Sequence, residues 1–282
     1  MKLPFYHIDD IIKTALKEDV NYLDISSCFI LDETHRSTAR YIARADGILC
    51  GLDAALRVFT LLDGTSAFET FFQDGDEIKK GDIIARVSCK TTALLQGERT
   101  SLNLLQHMSG VATMTNAAMH AVAGTNASVA ETRKTLPGLR VLQKYAVLCG
   151  GGKNHRFNLS DAAMLKDNHI DAGGGITKAV TLLREKAGHT VKIEVETRNL
   201  DEVREALQAG ADIIMLDNMG IAEMAEAVSM VNGRALTEAS GDVTLDNIRE
   251  VAGTGVDIIS MGALTHSVKA FNVSLKIEKE PT

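Results

Sequence analysis

Tryptophan is absent from this 282-residue sequence, and proline and cysteine are scarce, with three and four residues respectively. Together with 45% hydrophobic and 24% charged residues, this composition excludes a disordered chain, a collagen-like repeat and a small disulfide-stapled domain. The cysteines, Cys28, Cys50, Cys89 and Cys149, form neither a CxxC pair nor a metal-ligand spacing. We therefore predict buried, reduced thiols in a cytosolic protein.

A positive charge excess and a long apolar segment are also missing. The chain carries 30 Lys and Arg against 37 Asp and Glu, a net charge of −7, which argues against a general nucleic-acid or membrane-surface binder. The opening residues MKLPFYHIDDII lack the apolar core of a signal peptide. Polar side chains interrupt the uncharged stretch from Thr100 to Ala130 too often for a transmembrane helix. The prediction is a soluble, cytoplasmic protein without nucleic-acid or membrane partners.

The N-terminal third mixes short helical and strand patterns. Apolar spacing predicts an amphipathic helix over residues 7–17, and strands are predicted at 38–50 and 66–73. Paired Gly-Asp steps in residues 74–87 are typical of turns between short strands. A long, mostly uncharged helix is predicted from Thr92 to about Val122, and its composition indicates burial against the protein or a partner subunit.

After Gly124 the sequence alternates regularly between strand and helix patterns. Strands are predicted at 127–131, 162–165, 191–195, 212–216, 234–238 and 256–261. Helices are predicted at 175–187, 199–209, 220–231 and 244–253. This order indicates parallel strands joined by right-handed crossovers, and six strands are too few to close a barrel of eight. The predicted fold is therefore α/β, with an open, incomplete (β/α) barrel.

Each predicted barrel strand is followed by a polar residue or a glycine. These residues are Thr132, Arg133, Lys134, Lys166, Glu196, Asp217, Ser240, Gly241 and Gly262. In barrel enzymes the active site forms from the loops at the carboxyl ends of the strands, so we expect these residues to converge.

A basic segment within this acidic chain points to an anionic ligand. Residues 131–170 contain seven Lys or Arg and three acids, a local balance of +4. Arginine offers a planar fork to carboxylate or phosphate, and lysine acts as a point charge. For Arg140 and Lys144 a solvated surface position is an equal alternative. We expect Arg133, Lys134, Arg156 and Lys166 to be held in the site.

Glycine turns after the last two barrel strands suggest a phosphate site. Ser240-Gly241-Asp242 and Met261-Gly262-Ala263 each lie between a strand and a helix, where backbone N–H groups bind phosphate. Glu196 and Asp217 end adjacent strands and can hold Mg²⁺, bind sugar hydroxyls or stabilise developing positive charge. Either Glu194 or Glu196 could instead be a structural partner of Lys192 or Lys166.

In these motifs the sequence resembles the quinolinate phosphoribosyltransferase family, the decarboxylating nicotinate-nucleotide pyrophosphorylases. The resemblance runs in order through GERTSLNLLQHMSGVAT, ETRKTLPGLRVLQKYAVLCGGGKNHR, LKDNHI, EVE, MLDN, EASGDV and MGALTHS. It implies an N-terminal α+β sandwich domain (1–112, joined by 267–282) and an open α/β barrel (113–266). It also implies a homodimer or higher oligomer, in which Arg99 is contributed to the neighbour's active site.

The implied reaction joins quinolinate to phosphoribosyl pyrophosphate and releases pyrophosphate and CO₂. It assigns Arg99, Arg133, His155, Arg156 and Lys166 to quinolinate, Lys134 to either quinolinate or pyrophosphate, and Thr132 to substrate binding in general. Glu196 and Asp217 would hold the ribose hydroxyls and Mg²⁺, directly or through water or substrate, with no organic cofactor. Ser240, Gly241, Asp242, Met261, Gly262, Ala263 and His266 would surround the 5′-phosphate, mainly through backbone N–H groups. The catalytic set is Lys134, Lys166, Glu196 and Asp217.

Three other functions are kept open. A molybdenum-transport-associated paralogue of uncertain substrate resembles the same family, but the intact KDNH, GER and NHR motifs favour the quinolinate enzyme. A nicotinate phosphoribosyltransferase would need fewer basic residues, because its acceptor carries one carboxylate. A non-catalytic anion-binding regulator would need the basic residues but not the pair Glu196 and Asp217.

Overall fold

The computed structural model describes residues 3–278, which form two compact units. The first contains the described residues up to Asn116, Leu136–Gly151 and the described residues from Ser267 onward; the second contains Ala117–Thr135 and Gly152–His266. The domain boundary after residue 112 stays a prediction. Residues 279–282 of the predicted C-terminal segment lie outside the described residues.

An antiparallel sheet with the strand order β12-β1-β5-β3 forms the centre of the first unit. Its strands are β1 (Arg36–Ala43), β3 (Ala67–Thr70), β5 (Ile83–Lys90) and β12 (Val273–Ile277), and a small second sheet pairs β2 (Gly47–Ile48) with β4 (Glu77–Ile78). The helices are α1 (Phe5–Val20), α2 (Ile25–Ile30), α3 (Leu52–Leu62), α5 (Arg140–Cys149) and most of α4 (Thr91–Ala121). Strand alternation turns Ala39, Tyr41 and Ala43 into a core shared with Phe59 of α3 and Leu105 of α4.

The second unit is built on a six-stranded parallel sheet with the order β6-β11-β10-β9-β8-β7. Its strands are β6 (Ser128–Ala130), β7 (Ala163–Leu165), β8 (Ile193–Thr197), β9 (Ile213–Asp217), β10 (Leu236–Ser240) and β11 (Ile258–Ser260). The connecting helices are α6 (Asp167–Gly173), α7 (Ile176–Lys186), α8 (Leu200–Gln208), α9 (Ile221–Val231), α10 (Ile248–Gly253) and α11 (Ala263–His266). Within residues 3–278 no ladder joins the edge strands β6 and β7, so the predicted open, incomplete barrel is confirmed.

Most predicted elements are confirmed, with small shifts in their ends. The long helix occupies Thr91–Ala121, and six barrel strands lie in the predicted order. The single strand predicted over 38–50 is wrong, because β1 ends at Ala43 and the chain turns before Gly47. A residue distant in sequence stabilises that turn, since the backbone N–H of Lys80 donates a hydrogen bond to the side chain of Asp46. None of the helices between residues 3 and 278 combines the length and the hydropathy that a membrane span requires.

The parallel sheet positions the candidate site. β8 and β10 each run two residues beyond their predicted ends, to Thr197 and Ser240. Glu196 therefore lies within β8, while Asp217 and Ser240 end neighbouring strands in direct register. Because parallel strands end at the same edge of a sheet, these side chains reach one region.

Candidate active site

A cavity of about 280 Å³ lies at the carboxyl ends of the parallel strands of the second unit. It is lined by Thr132, Arg133, Lys134, His155, Arg156, Met164, Lys166, Glu196, Met215, Asp217 and Ser240. All of these except Met164 and Met215 belong to the predicted site. The structure therefore brings together basic and acidic residues from five strand ends and from the segment after Gly152.

One wall of the cavity is cationic, and its charges act on one another. Burial and the positive charge of Arg133 both lower the pKa of Arg156. The Arg156 guanidinium is aimed by a hydrogen bond from Nη1 to the carbonyl oxygen of Ala162, at 3.0 Å. Two like charges held on one wall repel, and an anion placed between them relieves that repulsion. The wall is built for a ligand with negative charge.

Two predicted carboxylates, Glu196 and Asp217, also line the cavity and form what we call its acidic wall. Nζ of Lys166 lies 2.5 Å from Oε2 of Glu196, so the lysine bridges the cationic and anionic sides. The position of Lys166 is fixed at the start of α6, where its backbone N–H donates to Nδ1 of His169 at 3.1 Å. Glu196 is thus the partner of Lys166, whereas Lys192 pairs with Asp212.

Asn218 holds the other carboxylate and was not predicted as a site residue. Its Nδ2 donates to Oδ2 of Asp217 at 3.0 Å, and its backbone N–H donates to the carbonyl of Ser240. Asn218 has a positive φ of 54°, which asparagine tolerates better than most residues. Its side chain fills the space beside Gly241, where an added Cβ would lie 2.1 Å from Oδ1 of Asn218. The sequence signal that could have identified Asn218 was the LDN motif at residues 216–218, together with Ser240-Gly241 at the end of the next strand.

The segment that carries His155 and Arg156 is anchored to the edge of the sheet. Lys153 forms a parallel bridge with Ala130 of β6 and donates its N–H to the carbonyl of Val129 at 2.8 Å. The backbone N–H of His155 then donates to Oε1 of Glu131 at 3.2 Å. The glycine run before Lys153 allows the chain to turn sharply into this position, with Gly151 at a φ of 90°.

Below the cavity, His155 lies against two buried carboxyl groups. Its Nε2 is 3.2 Å from Oε2 of Glu194 and 3.5 Å from Oε1 of Glu238, and its Nδ1 accepts the N–H of Arg156. Glu194 and Glu238 are each 1% exposed, and Oε1 of Glu238 has no hydrogen-bond partner. Burial and the charge of Glu194 raise the pKa of Glu238 to about 7. Glu238 was not predicted, although it precedes Ser240 by one strand repeat and so shares its face.

We expect Glu238→Gln to flatten the dependence of stability on pH. The carboxyl pKa rises from 4.5 to about 7 on folding, so between these values the folded state binds more protons and the free energy of unfolding falls as pH rises. The stabilising contribution is complete below the unfolded pKa and is lost as pH passes the folded pKa, a difference of about 3 kcal/mol. Urea denaturation at about pH 5 and about pH 8 measures it. Glu226→Gln, on the exposed side of α9, is the matched control, and parallel profiles for wild type and Glu238→Gln would contradict the expectation.

At least one of the residues predicted to bind the 5′-phosphate uses its backbone N–H within the protein instead. Met261 is 1% exposed and its N–H donates to the carbonyl of Ala130, so this N–H is used within the sheet. The predicted role of the Met261 N–H is therefore corrected. Gly262 lies against a lysine and a histidine side chain, since an added Cβ would be 3.0 Å from both Cδ of Lys134 and Nε2 of His266. Ala263 begins α11, and Asp242 follows Ser240-Gly241 with a φ of 43°.

The remaining predicted residues lie in the first unit. Arg99 is exposed on α4. On α5, Arg140 is half-buried and Lys144 is fully buried, so the surface alternative for Lys144 is wrong. Two of the four cysteines also depart from the prediction of burial, because Cys28 is exposed and Cys149 is partly exposed.

The acidic wall suits a hard divalent cation. Glu196 and Asp217 offer carboxylate oxygens at the ends of neighbouring strands, and both line the cavity. Magnesium-type cations are bound in this way, by one or two carboxylates with water and substrate phosphate completing the coordination. The donor set therefore fits a cation that arrives with a phosphorylated substrate.

Comparison with known proteins identifies relatives over nearly the whole chain. Two family models match, described as the quinolinate phosphoribosyl transferase N-terminal domain over residues 24–109 and C-terminal domain over residues 111–276. A probable carboxylating nicotinate-nucleotide pyrophosphorylase of Synechocystis is 45% identical, covering 92% of this chain and 89% of the relative. A decarboxylating quinolinate phosphoribosyltransferase of Nicotiana tabacum is 42% identical over 98% of this chain and 84% of its own. The crystal structure of NadC from Streptococcus pyogenes superposes with a TM-score of 0.95 at 42% identity, covering 99% of this chain and 100% of that one.

Proposed function

This chain belongs to the quinolinate phosphoribosyltransferase family, and we propose that it transfers the phosphoribosyl group of phosphoribosyl pyrophosphate to quinolinate with loss of CO₂. The product is nicotinate mononucleotide, an intermediate of NAD biosynthesis, and the enzyme is a pentosyltransferase. One observation carries the proposal: the cavity pairs a cationic wall, with Arg133 and Arg156 repelling each other, with the two carboxylates Glu196 and Asp217. A dianionic acceptor and a donor whose sugar becomes cationic need those two walls.

The cationic wall binds and orients quinolinate. Arg133 and Arg156 present planar donors for the two ring carboxylates, and Lys166 adds a point charge at the boundary with the acidic wall. His155 is held from below by Glu194, so its ring is fixed before the ligand enters. Holding two anionic substrates in contact against their repulsion is the main contribution to the rate, because positioning replaces a bimolecular encounter.

The acidic wall stabilises the charge that develops on the sugar. As the ring nitrogen displaces pyrophosphate at C1′, the ribose acquires oxocarbenium character, and nearby carboxylates lower the free energy of that state. Glu196 and Asp217 are the residues that would hold Mg²⁺, which neutralises pyrophosphate when bound. Asn218 keeps the Asp217 carboxylate turned towards the cavity.

The phosphate end of the donor is assigned to the last strand ends. Lys134 and His266 flank Gly262, and the turn is tied down by the hydroxyl of Thr265, which donates to the carbonyl of Lys134 at 2.7 Å. Ser240 lines the cavity beside them. Loss of CO₂ follows at C2, where the electron pair of the broken bond stays on the carbon, the positively charged ring nitrogen beside it stabilises this carbanion, and a proton then takes the place of the carboxylate.

We also propose an oligomeric state and a cellular location for this protein. A homodimer in which Arg99 reaches the neighbour's cavity gives this exposed arginine, on a long and mostly uncharged helix, an anion to bind. A cytoplasmic location fits the acidic, ordinary globular composition.

Turnover with the two candidate acceptors tests the function. With phosphoribosyl pyrophosphate and Mg²⁺ supplied, we expect quinolinate to yield equal amounts of nicotinate mononucleotide and CO₂, and nicotinate to yield at least about 10³-fold less product. The difference arises because nicotinate lacks the second carboxylate, which the cationic wall is proposed to bind with charge-assisted hydrogen bonds. Chromatography of the nucleotide and capture of labelled CO₂ measure the two products, with Lys166→Ala as the inactive control. Efficient turnover of nicotinate, or quinolinate binding without turnover, would favour the nicotinate enzyme or the anion-binding regulator instead.

A further inference from the structure

Two of the four cysteines lie side by side in the first unit, although they are far apart in sequence. Cys50 lies between β2 and α3, and Cys149 is the last residue of α5. Their Sγ atoms and a carboxylate oxygen of Asp74 all lie within 4.8 Å of one another. Neither cysteine has a role in the proposed reaction.

Asp74 ties together the two segments that carry these thiols. Its carboxylate accepts the backbone N–H groups of Gly51, at 3.0 Å, and Leu52, at 2.9 Å, directly after Cys50. The same carboxylate accepts the hydroxyl of Tyr145 at 3.0 Å, one helical turn before Cys149. The proximity of the two sulfurs is therefore enforced by three hydrogen bonds to one side chain.

The backbone of Cys50 is held independently of the carboxylate. Its N–H donates to Oγ of Ser109 at 3.0 Å, and the Ser109 hydroxyl donates to the carbonyl of Cys50 at 3.1 Å. The inner thiol is thus anchored to α4. Closing a disulfide, whose sulfurs lie about 2.05 Å apart, therefore requires movement on the side of Cys149.

The two thiols differ in access and in acidity. Cys50 is fully buried and Cys149 is partly exposed. Hydrogen bonding from the Cys50 thiol lowers the pKa of Cys149, whereas burial raises the pKa of Cys50. An accessible sulfur that ionises more easily beside a sheltered second thiol is the arrangement in which oxidation ends in a disulfide.

We propose that Cys50 and Cys149 are a peroxide-reactive thiol pair that closes to an intramolecular disulfide. The Cys149 thiolate attacks one oxygen of hydrogen peroxide, the O–O bond breaks, and the departing hydroxide takes a proton to become water. The sulfur of Cys50 then attacks the resulting sulfenic acid, the S–O bond breaks, and the oxygen leaves as a second water with the thiol proton of Cys50. Two thiols lose two electrons in total and one peroxide is reduced to two waters, so the step is balanced.

A metal ion between the same three residues is the competing arrangement. Two thiols and a carboxylate are possible ligands of zinc, which requires both thiols to be deprotonated. The oxygens of Asp74 are already occupied by three donors, and burial raises the pKa of both Asp74 and Cys50. Metal binding would have to displace the donors of Asp74 and to ionise Cys50 as well as Cys149, so the arrangement favours the disulfide.

The experiment uses the full-length protein in a Cys28→Ser background, because Cys28 is exposed and would join two molecules. After exposure to hydrogen peroxide, the protein is denatured and alkylated, and its peptides are analysed by mass spectrometry. We expect one linked peptide pair containing residues 50 and 149, loss of two thiols per chain, and full reversal by dithiothreitol. Cys89 is the internal control, since burial raises its pKa to about 11, and Cys149 should react at least about tenfold faster.

Two substitutions locate the chemistry on the separate sulfurs. Cys50→Ser should stop at a sulfenic acid on Cys149, trapped by dimedone, and Cys149→Ser should leave Cys50 unmodified. Oxidation that spares both residues, or a linked peptide that joins any other pair, would overturn the proposal. Stoichiometric zinc in the purified protein, lost in Cys149→Ser, would assign the three residues to a metal instead.

Discussion

Replacing Arg133 with alanine should raise the KM for quinolinate by about 10²-fold, because a charge-assisted hydrogen bond to a carboxylate contributes about 1.5–3 kcal/mol. Arg133 lines the cavity together with Arg156, and each guanidinium is proposed to bind one carboxylate of the ligand. The KM for phosphoribosyl pyrophosphate should change far less, since its groups are assigned to the acidic wall and the last strand ends. Initial rates with each substrate varied in turn measure the two constants.

The stability of Arg133→Ala separates lost binding from lost folding. Arg133 follows β6 at the edge of the cavity and is half-buried, so its free energy of unfolding should change by no more than about 0.5 kcal/mol. Arg204→Ala is the matched control, because Arg204 is an exposed arginine on α8 that pairs with Asp201. A large loss of thermal stability in Arg133→Ala with an unchanged KM would contradict the assignment.

The double variant Arg133→Ala with Arg156→Ala extends the same test. The positive charge of Arg133 lowers the pKa of Arg156, and a bound anion relieves the repulsion between the two guanidinium groups. Each single variant therefore loses a ligand contact and also this favourable contribution to binding. The double variant loses that contribution only once, so it should lose less affinity than the sum of the two single variants.

The regular periodicity of the second half made its architecture predictable from sequence. Strand and helix patterns alternated at spacings that only parallel strands with crossover helices satisfy, and all six strands were found in that order. The strand ends were predicted less accurately. β8 and β10 each continue for two residues beyond their predicted ends, so that Glu196 and Ser240 still belong to the sheet. A polar residue at a strand end indicates a loop by composition, yet here it is still paired in the sheet.

Contacts between residues that are distant in sequence could not be predicted from the sequence. α5 was seen as a basic segment because Arg140 and Lys144 stood out, whereas the structure buries Lys144 completely in a helix that faces the core with Leu142, Ala146 and Val147. Whether a lysine is solvated or buried depends on partners distant in sequence. The same holds for Glu238, whose meeting with His155 joins residues 83 positions apart.

The residue types and their order along the chain predicted which residues line the cavity. They did not predict the residues that support this lining from behind. Arg133, Lys166, Glu196 and Asp217 line one cavity, as expected for residues at consecutive strand ends. Among these supporting residues, Asn218 acts through a side-chain hydrogen bond and Glu238 through its burial. Neither effect has a local sequence signature strong enough to distinguish it from an ordinary loop or strand residue.

Heterodimers of Arg99→Ala and Lys166→Ala subunits should regain about half of the wild-type turnover, although each variant alone should be inactive. In the proposed homodimer each cavity combines its own Lys166 with Arg99 of the partner subunit. A heterodimer then has one cavity with both residues intact and one cavity that lacks both. Coexpression with two different affinity tags, followed by purification through both, isolates the mixed species for assay.

A second pair of variants makes this result specific to Arg99. Arg133 and Lys166 line the same cavity of one chain, so Arg133→Ala mixed with Lys166→Ala leaves a defect in both cavities. No recovery is expected when quinolinate is kept near the wild-type KM, far below the raised KM of Arg133→Ala. Recovery in the Arg99 mixture but not in the Arg133 mixture can arise only if Arg99 crosses between subunits. If both mixtures stay inactive while the purified heterodimers are folded and dimeric, Arg99 serves the cavity of its own chain, and the proposed exchange of arginines between subunits is wrong.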